Sequence, residues 1–213
     1  TWMTELDEND FDKSGHFADV NDEKTIVGNF KDENYILSYI DMDEQFSGPI
    51  CVAAVWKDGK RTSLGIGDFT MDDFNSFADG SFAMAVSADS KTVVGYINQG
   101  NSTTFTPCGW VYNESTQAWD YQRYALPEGS QGGQIGSVSA DGKLAVGYAA
   151  YHLRAMPVIW TSPTECLQIE LTEEDASYED EFGFNYGYKI SPNGQYVLFT
   201  LNNMIPCIYS VKD

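Results

Sequence analysis

Positive charge is what this chain has least of. Lys and Arg number 12 against 32 Asp and Glu, a formal charge of -20. A surface this acidic repels phosphate backbones and argues against nucleic acid as a partner. Cations, basic proteins and neutral glycans stay open. Long apolar runs are also missing: no stretch of about 18 apolar residues occurs, so no membrane-spanning helix is expected. Apolar residues do not recur with a 3.6-residue period, so almost no helix is expected either. Cysteine is sparse. Cys51, Cys108, Cys166 and Cys207 form no CxxC pair, which leaves zinc and thioredoxin-like chemistry without a basis. All four read as free thiols, with Cys108 and Cys207 each two residues before an aromatic and so on one strand face with it.

What is present is a pattern that recurs. Gly136 to Trp160 reads GSVSADGKLAVGYAAYHLRAMPVIW. Like stretches run from His16 to Trp56, from Ser81 to Trp110 and from Tyr186 to Tyr209. A marker Val or Ile falls at Val20, Val86, Val138 and Ile190. A glycine ends the second apolar run at Gly28, Gly95 and Gly147, with Phe199 in the fourth copy. The closing aromatic is Trp56, Trp110, Trp160 or Tyr209. Each copy reads as a short strand, a tight polar turn such as SADG or SPNG, and a β-branched strand. A third strand then ends in the aromatic, and a shorter, more polar fourth follows. Pro107, Pro157 and Pro206 open the third strand, where a missing N–H is tolerated.

Four antiparallel strands repeated roughly every 50 residues predict an all-β fold, a β-propeller of four-stranded blades. The copies span about residues 16–65, 81–127, 135–171 and 186–213 of a single domain. The fourth copy lacks a fourth strand. Residues 1–10 offer one, because Met3-Thr4-Glu5-Leu6 resembles Gln168-Ile169-Glu170-Leu171. A four-bladed ring closed by the N-terminal strand is therefore favoured, against a reading in which those residues end an earlier blade of a larger propeller.

The motif residues resemble a known family. Val20-Asn21-Asp22, Ile26-Val27-Gly28, Val55-Trp56-Lys57-Asp58-Gly59 and Leu64-Gly65 are similar to the HAF-type extracellular repeat of bacterial secreted and surface proteins. The second and third copies match through Val94-Gly95 and Val146-Gly147 and depart after the tryptophan. The resemblance implies a propeller exported from a bacterial cell, secreted or held at the outer surface or in the periplasm. It carries over no catalytic residue.

Long loops on a rigid scaffold are the usual place for binding. One rim is expected to gather most of the carboxylates, from Asp7–Phe17, Glu33–Ser47, Gly67–Phe82 and Thr172–Tyr186, interleaved with aromatics. Candidate ligand-binding residues there are Tyr35, Tyr39, Asp41, Asp43, Phe69, Asp72, Asp73, Phe74, Tyr151, His152, Tyr178 and Phe182. Aromatic faces beside carboxylates suit sugar rings or basic peptides. The bland alternative is that the aromatics cover sheet edges and the acids are solvated. Asp41, Asp43 and Glu44, and also Asp72-Asp73, offer oxygen ligands for calcium, but none has the spacing of a calcium loop, and no cofactor is expected. His152 is tied to no nucleophile. The leading expectation is a non-enzymatic binding module that recognises a glycan or a protein at the cell surface. The alternative is a carbohydrate-active enzyme, a glycoside hydrolase or lyase, with paired carboxylates in an axial funnel.

Overall fold

The computed structural model describes residues 16–41, 44–100, 105–152, 154–169, 186–201 and 205–211. Most of them lie in strands. In chain order the strands are β1 (His16–Val20), β2 (Ile26–Asp41), β3 (Glu44–Lys57), β4 (Lys60–Gly65), β5 (Gly80–Val86), β6 (Thr92–Asn98), β7 (Phe105–Asn113) and β8 (Ala118–Arg123). They continue as β9 (Gly132–Val138), β10 (Ala145–Tyr151), β11 (Arg154–Ser162), β12 (Glu165–Gln168), β13 (Tyr186–Ile190), β14 (Tyr196–Leu201) and β15 (Ile205–Ser210). One 3-10 turn, Met71–Asp73, is the helical element among the described residues.

Four hairpins share one turn chemistry. Ser87, Ser139 and Ser191 each accept, at Oγ, the amide that reopens the next strand: Thr92 at 2.9 Å, Leu144 at 3.0 Å and Tyr196 at 2.9 Å. Each hydroxyl also donates two residues on, to Asp89, Asp141 or Asn193. Asn21 does the same work in the first hairpin, accepting from the Thr25 amide at 3.0 Å. Ser and Asn bond their own backbone in this way, which is why they punctuate strands. Across from each turn the ladders agree as well. Ile26 pairs with Trp56, Val93 with Trp110, Ala145 with Trp160 and Val197 with Tyr209.

The turns are also bonded to one another in series. The Asn21 side chain donates to the Ser87 carbonyl at 2.8 Å. The Ala88 amide donates to the Ala140 carbonyl, and the Ala140 amide to the Pro192 carbonyl, both at 3.0 Å. Successive hairpins therefore pack face to face, and three apolar clusters lie between them. The first joins Val27, Val55 and Trp56 to Val86, Val93 and Trp110. The second joins Ala85 and Val94 to Ile135, Val138 and Trp160. The third joins Val146 and Ile159 to Ile190, Val197 and Phe199.

The strand positions, the turns and the buried aromatics follow the pattern read from the residues, but the propeller of four separate blades does not form. The first eight strands make one sheet, because β3 and β5 pair in parallel at Cys51 and Gly80. Gly80 has φ 135°, and a Cβ there would lie 1.8 Å from the Cys51 carbonyl oxygen, so only glycine lets the two backbones meet. The other sheets have four strands (β9 to β12) and three (β13 to β15). No sheet of the described residues closes on itself, and no strand pairing among them joins the last sheet to the first. The layout is that of stacked, sandwich-like layers. The proposed closing strand, residues 1–10, lies outside the described residues. A second correction concerns Glu33–Ser47, expected as an irregular loop. Its described residues, 33–41 and 44–47, form a hairpin arm, in which Ile36 pairs with Pro49 and Asp41 with Glu44 beyond a register shift after Lys31. Tyr35, Leu37 and Tyr39 at alternate positions suit a pleated strand better than a loop.

Candidate functional site

The arm formed by β2 and β3 carries a cross-strand aromatic pair. Tyr39 and Phe46 stand directly opposite each other in the ladder. Their rings stack with centroids 5.5 Å apart and planes 21° from parallel. Phe77, from the segment between β4 and β5, packs on the same tyrosine at 5.2 Å. Tyr39 is half-buried against the first core, while Phe46 is 37 % exposed. The pair thus has one ring anchored and one offered to solvent.

The segment from Gly65 to Asp79 forms the ground beside this arm. Its backbone is pinned at both ends. The Asp79 carboxylate is buried and accepts the Asn75 and Ser76 amides at 2.9 Å each. The Ser81 hydroxyl donates to the Gly65 carbonyl at 2.6 Å. Between these points Phe69 lies beneath Arg123, whose guanidinium carbon is 4.7 Å from the ring centroid. Arg123 also pairs with Asp68 at 3.1 Å. Cation–π contacts and exposed ion pairs of this kind each contribute at most about 1 kcal/mol. Tyr121 covers Gly67, its ring 2.5 Å from where a Cβ would stand. Burial is the main cause that raises the Tyr121 phenol well above its ordinary range, with the nearby Cys108 adding to it. Cys108 is itself fully buried, and burial pushes its thiol up, so it is no nucleophile.

The candidate residues divide into three groups. Tyr35, Tyr39, Phe69 and Phe74 are brought together, all packed on the first core. Phe74 is itself core, at 4 % exposure, so for that residue the bland reading holds. Asp72 is exposed. Asp73 caps the turn, accepting from the Thr70 amide at 2.8 Å and hydroxyl at 3.0 Å. The Thr70 amide, then its hydroxyl, holds that carboxyl below the usual carboxylate range. Tyr151 and His152 lie apart, at the end of β10. Tyr151 donates to Gln168 at 2.6 Å and packs against the second core, and His152 is exposed. Asp43, Tyr178 and Phe182 lie outside the described residues, as does the side chain of Asp41.

The sequence places Phe46 and Phe77 among the aromatics interleaved with the rim carboxylates but not among the candidate ligand-binding residues, and Arg123 is in neither group. The alternation of Tyr35, Leu37 and Tyr39 was the available signal for the Tyr39–Phe46 pairing. Nothing in the sequence links Arg123 to Phe69. Among the described residues no group of three or more His, Cys, Asp or Glu side chains is placed to hold a metal ion. The two buried carboxylates among them are engaged. Asp32 accepts from Asn34 and from the Ser63 hydroxyl at 2.9 Å, and Asp79 holds the turn described above. No helix of the described residues is long and apolar enough to cross a membrane. No protein-family model matches the chain, and no curated protein matches it.

Proposed function

We propose that the protein is a non-enzymatic binding module, built on a repeating extracellular-type unit and exported to the surface or periplasm of a bacterium, that takes a glycan or a protein on the aromatic arm of β2 and β3. The observation that carries the reading is the Tyr39–Phe46 stack, with Phe46 exposed to solvent, in a chain of formal charge -20. A rigid aromatic pair supplies contact area at small cost in side-chain entropy. The surrounding negative potential steers cations toward it and strengthens any cation–π contact. Of the two ligand classes, this charge supports a Lys- or Arg-rich protein segment over a neutral glycan. The carbohydrate-active alternative draws no comparable support, since the buried carboxylates of the described residues serve as structural acceptors.

Binding of the intact chain to panels of Lys/Arg-rich peptides and of neutral oligosaccharides tests this. A peptide ligand is expected, with affinity that falls as salt rises. Phe46→Ala should weaken it about tenfold, or about 1.4 kcal/mol. Salt-independent binding to a sugar would move the assignment to a glycan on the same arm. Binding that Phe46→Ala leaves unchanged would remove the arm as the site.

A further inference from the structure

The two outer faces of the stack match each other. In each of the first three hairpins, the middle residue of the second-strand triplet lies in the core shared with the following hairpin. These residues are Val27, Val94 and Val146, all fully buried. The corresponding residue of the fourth hairpin, Leu198, is 42 % exposed. The residue before the third-strand aromatic behaves likewise. Val55, Gly109 and Ile159 are buried, whereas Ile208, which pairs directly with Leu198, is 74 % exposed. At the other end the order reverses. Val86, Val138 and Ile190 each end a first strand and are buried in the core shared with the preceding hairpin. Their counterpart Val20 is 55 % exposed.

We propose that copies of this chain associate head to tail, the Leu198–Ile208 face of one covering the Val20 face of another. The occupant is a second copy because each open face has the same register and side-chain type as a face that, within the chain, is already covered by its complement. The contact continues the packing of the three internal cores. It is apolar only. Ala88 and Ala140 donate their amides to the next turn, but Pro192 stands at that position in the fourth hairpin and has no N–H to donate. Such a contact is heterologous, so assembly runs on to a closed ring or a longer stack. The charge of -20 opposes it at low salt, and screening at about 0.15 M limits that repulsion to roughly 8 Å.

Sedimentation equilibrium at that ionic strength tests the proposal with the wild type, Val20→Lys, Ile208→Lys and an equimolar mixture of the two variants. Both positions are exposed, so the fold tolerates lysine, and lysine makes the chain less negative, so repulsion cannot explain a loss. The wild-type mass should rise with concentration beyond that of a dimer. Each variant alone should stay a monomer. The mixture should stop at two chains, because it retains one head and one tail. A wild type monomeric up to about 1 mM, where even a contact of about -4 kcal/mol would show, overturns the proposal. So does either variant assembling as the wild type does, or a mixture that fails to pair while the wild type assembles.

Discussion

Trp160 and Trp110 occupy like places in consecutive hairpins and differ in one hydrogen bond. Trp160 donates from Nε1 to the Ala125 carbonyl at 2.6 Å. Trp110 is fully buried, and its Nε1 has no hydrogen-bond partner. An unmade hydrogen bond in the interior costs about 1–3 kcal/mol. Trp160→Phe removes a bond to the carbonyl of the half-buried Ala125, worth about 0.5–1.5 kcal/mol net. Trp110→Phe removes a donor already stranded. Both lose similar packing, so Trp160→Phe should be the more destabilising by at least about 1 kcal/mol in urea unfolding. Equal losses would mean that the Trp160 bond contributes nothing net. The glycines of the recurrent triplet lie against a neighbouring backbone. A Cβ at Gly28, Gly95 or Gly147 would lie 1.9, 1.8 or 1.8 Å from a carbonyl oxygen of the neighbouring strand. The first strand shifts register beside each of these pairings. In the fourth hairpin Phe199 replaces the glycine, and the residue opposite it is Gly187.

At the scale of the element, the polar turn is the unit that decides where each hairpin begins. Asp141 accepts from the Ser139 hydroxyl at 2.7 Å and the Lys143 amide at 3.2 Å. These two bonds, in that order, hold its carboxyl below the usual carboxylate range. A carboxyl with a lowered folded value adds stability that is fully present above its unfolded value, near 3.9. That stability is lost as pH falls through the lower folded value. Asn193 fills the same place in the fourth turn and keeps the serine contact at 2.8 Å without a charge. Asp141→Asn should therefore fold normally at pH 7 and lose less stability than the wild type between about pH 4 and pH 2. Acid titration followed by circular dichroism measures this, and an unchanged acid limb would contradict it. These turns were legible in the sequence because Ser or Asn followed by Asp, Asn or Gly is a local signal. So were the strands, whose apolar alternation matches the buried faces, and the aromatic partners of β2, β6, β10 and β14. The β2–β3 arm was not, because Asp and Glu between the aromatics of Glu33–Ser47 imitate loop composition.

At the scale of the molecule, the arrangement departs from a ring of blades for reasons that no local pattern carries. The joining of the first eight strands rests on one parallel contact between Cys51 and Gly80, residues distant in the chain, and Gly80 reads in isolation as a turn glycine. The candidate site was legible in part. The second and third of the acidic, aromatic stretches, Glu33–Ser47 and Gly67–Phe82, do converge on one core edge, since Tyr35, Tyr39, Phe69 and Phe74 share it. Tyr151 and His152 do not join them, because β10 belongs to a different sheet.

The stacking of hairpins through bonded turns underlies the cores, the placing of the arm and the matched outer faces. Ala88 is exposed in a tight turn, yet its amide donates to Ala140, and the Ala140 amide to Pro192. Hydrogen exchange of these two amides reads the stacking directly. Both should exchange slowly, with protection like that of the strand amides they adjoin. Exchange of both at the rate of an open, solvated turn would show that the hairpins do not stack in this way.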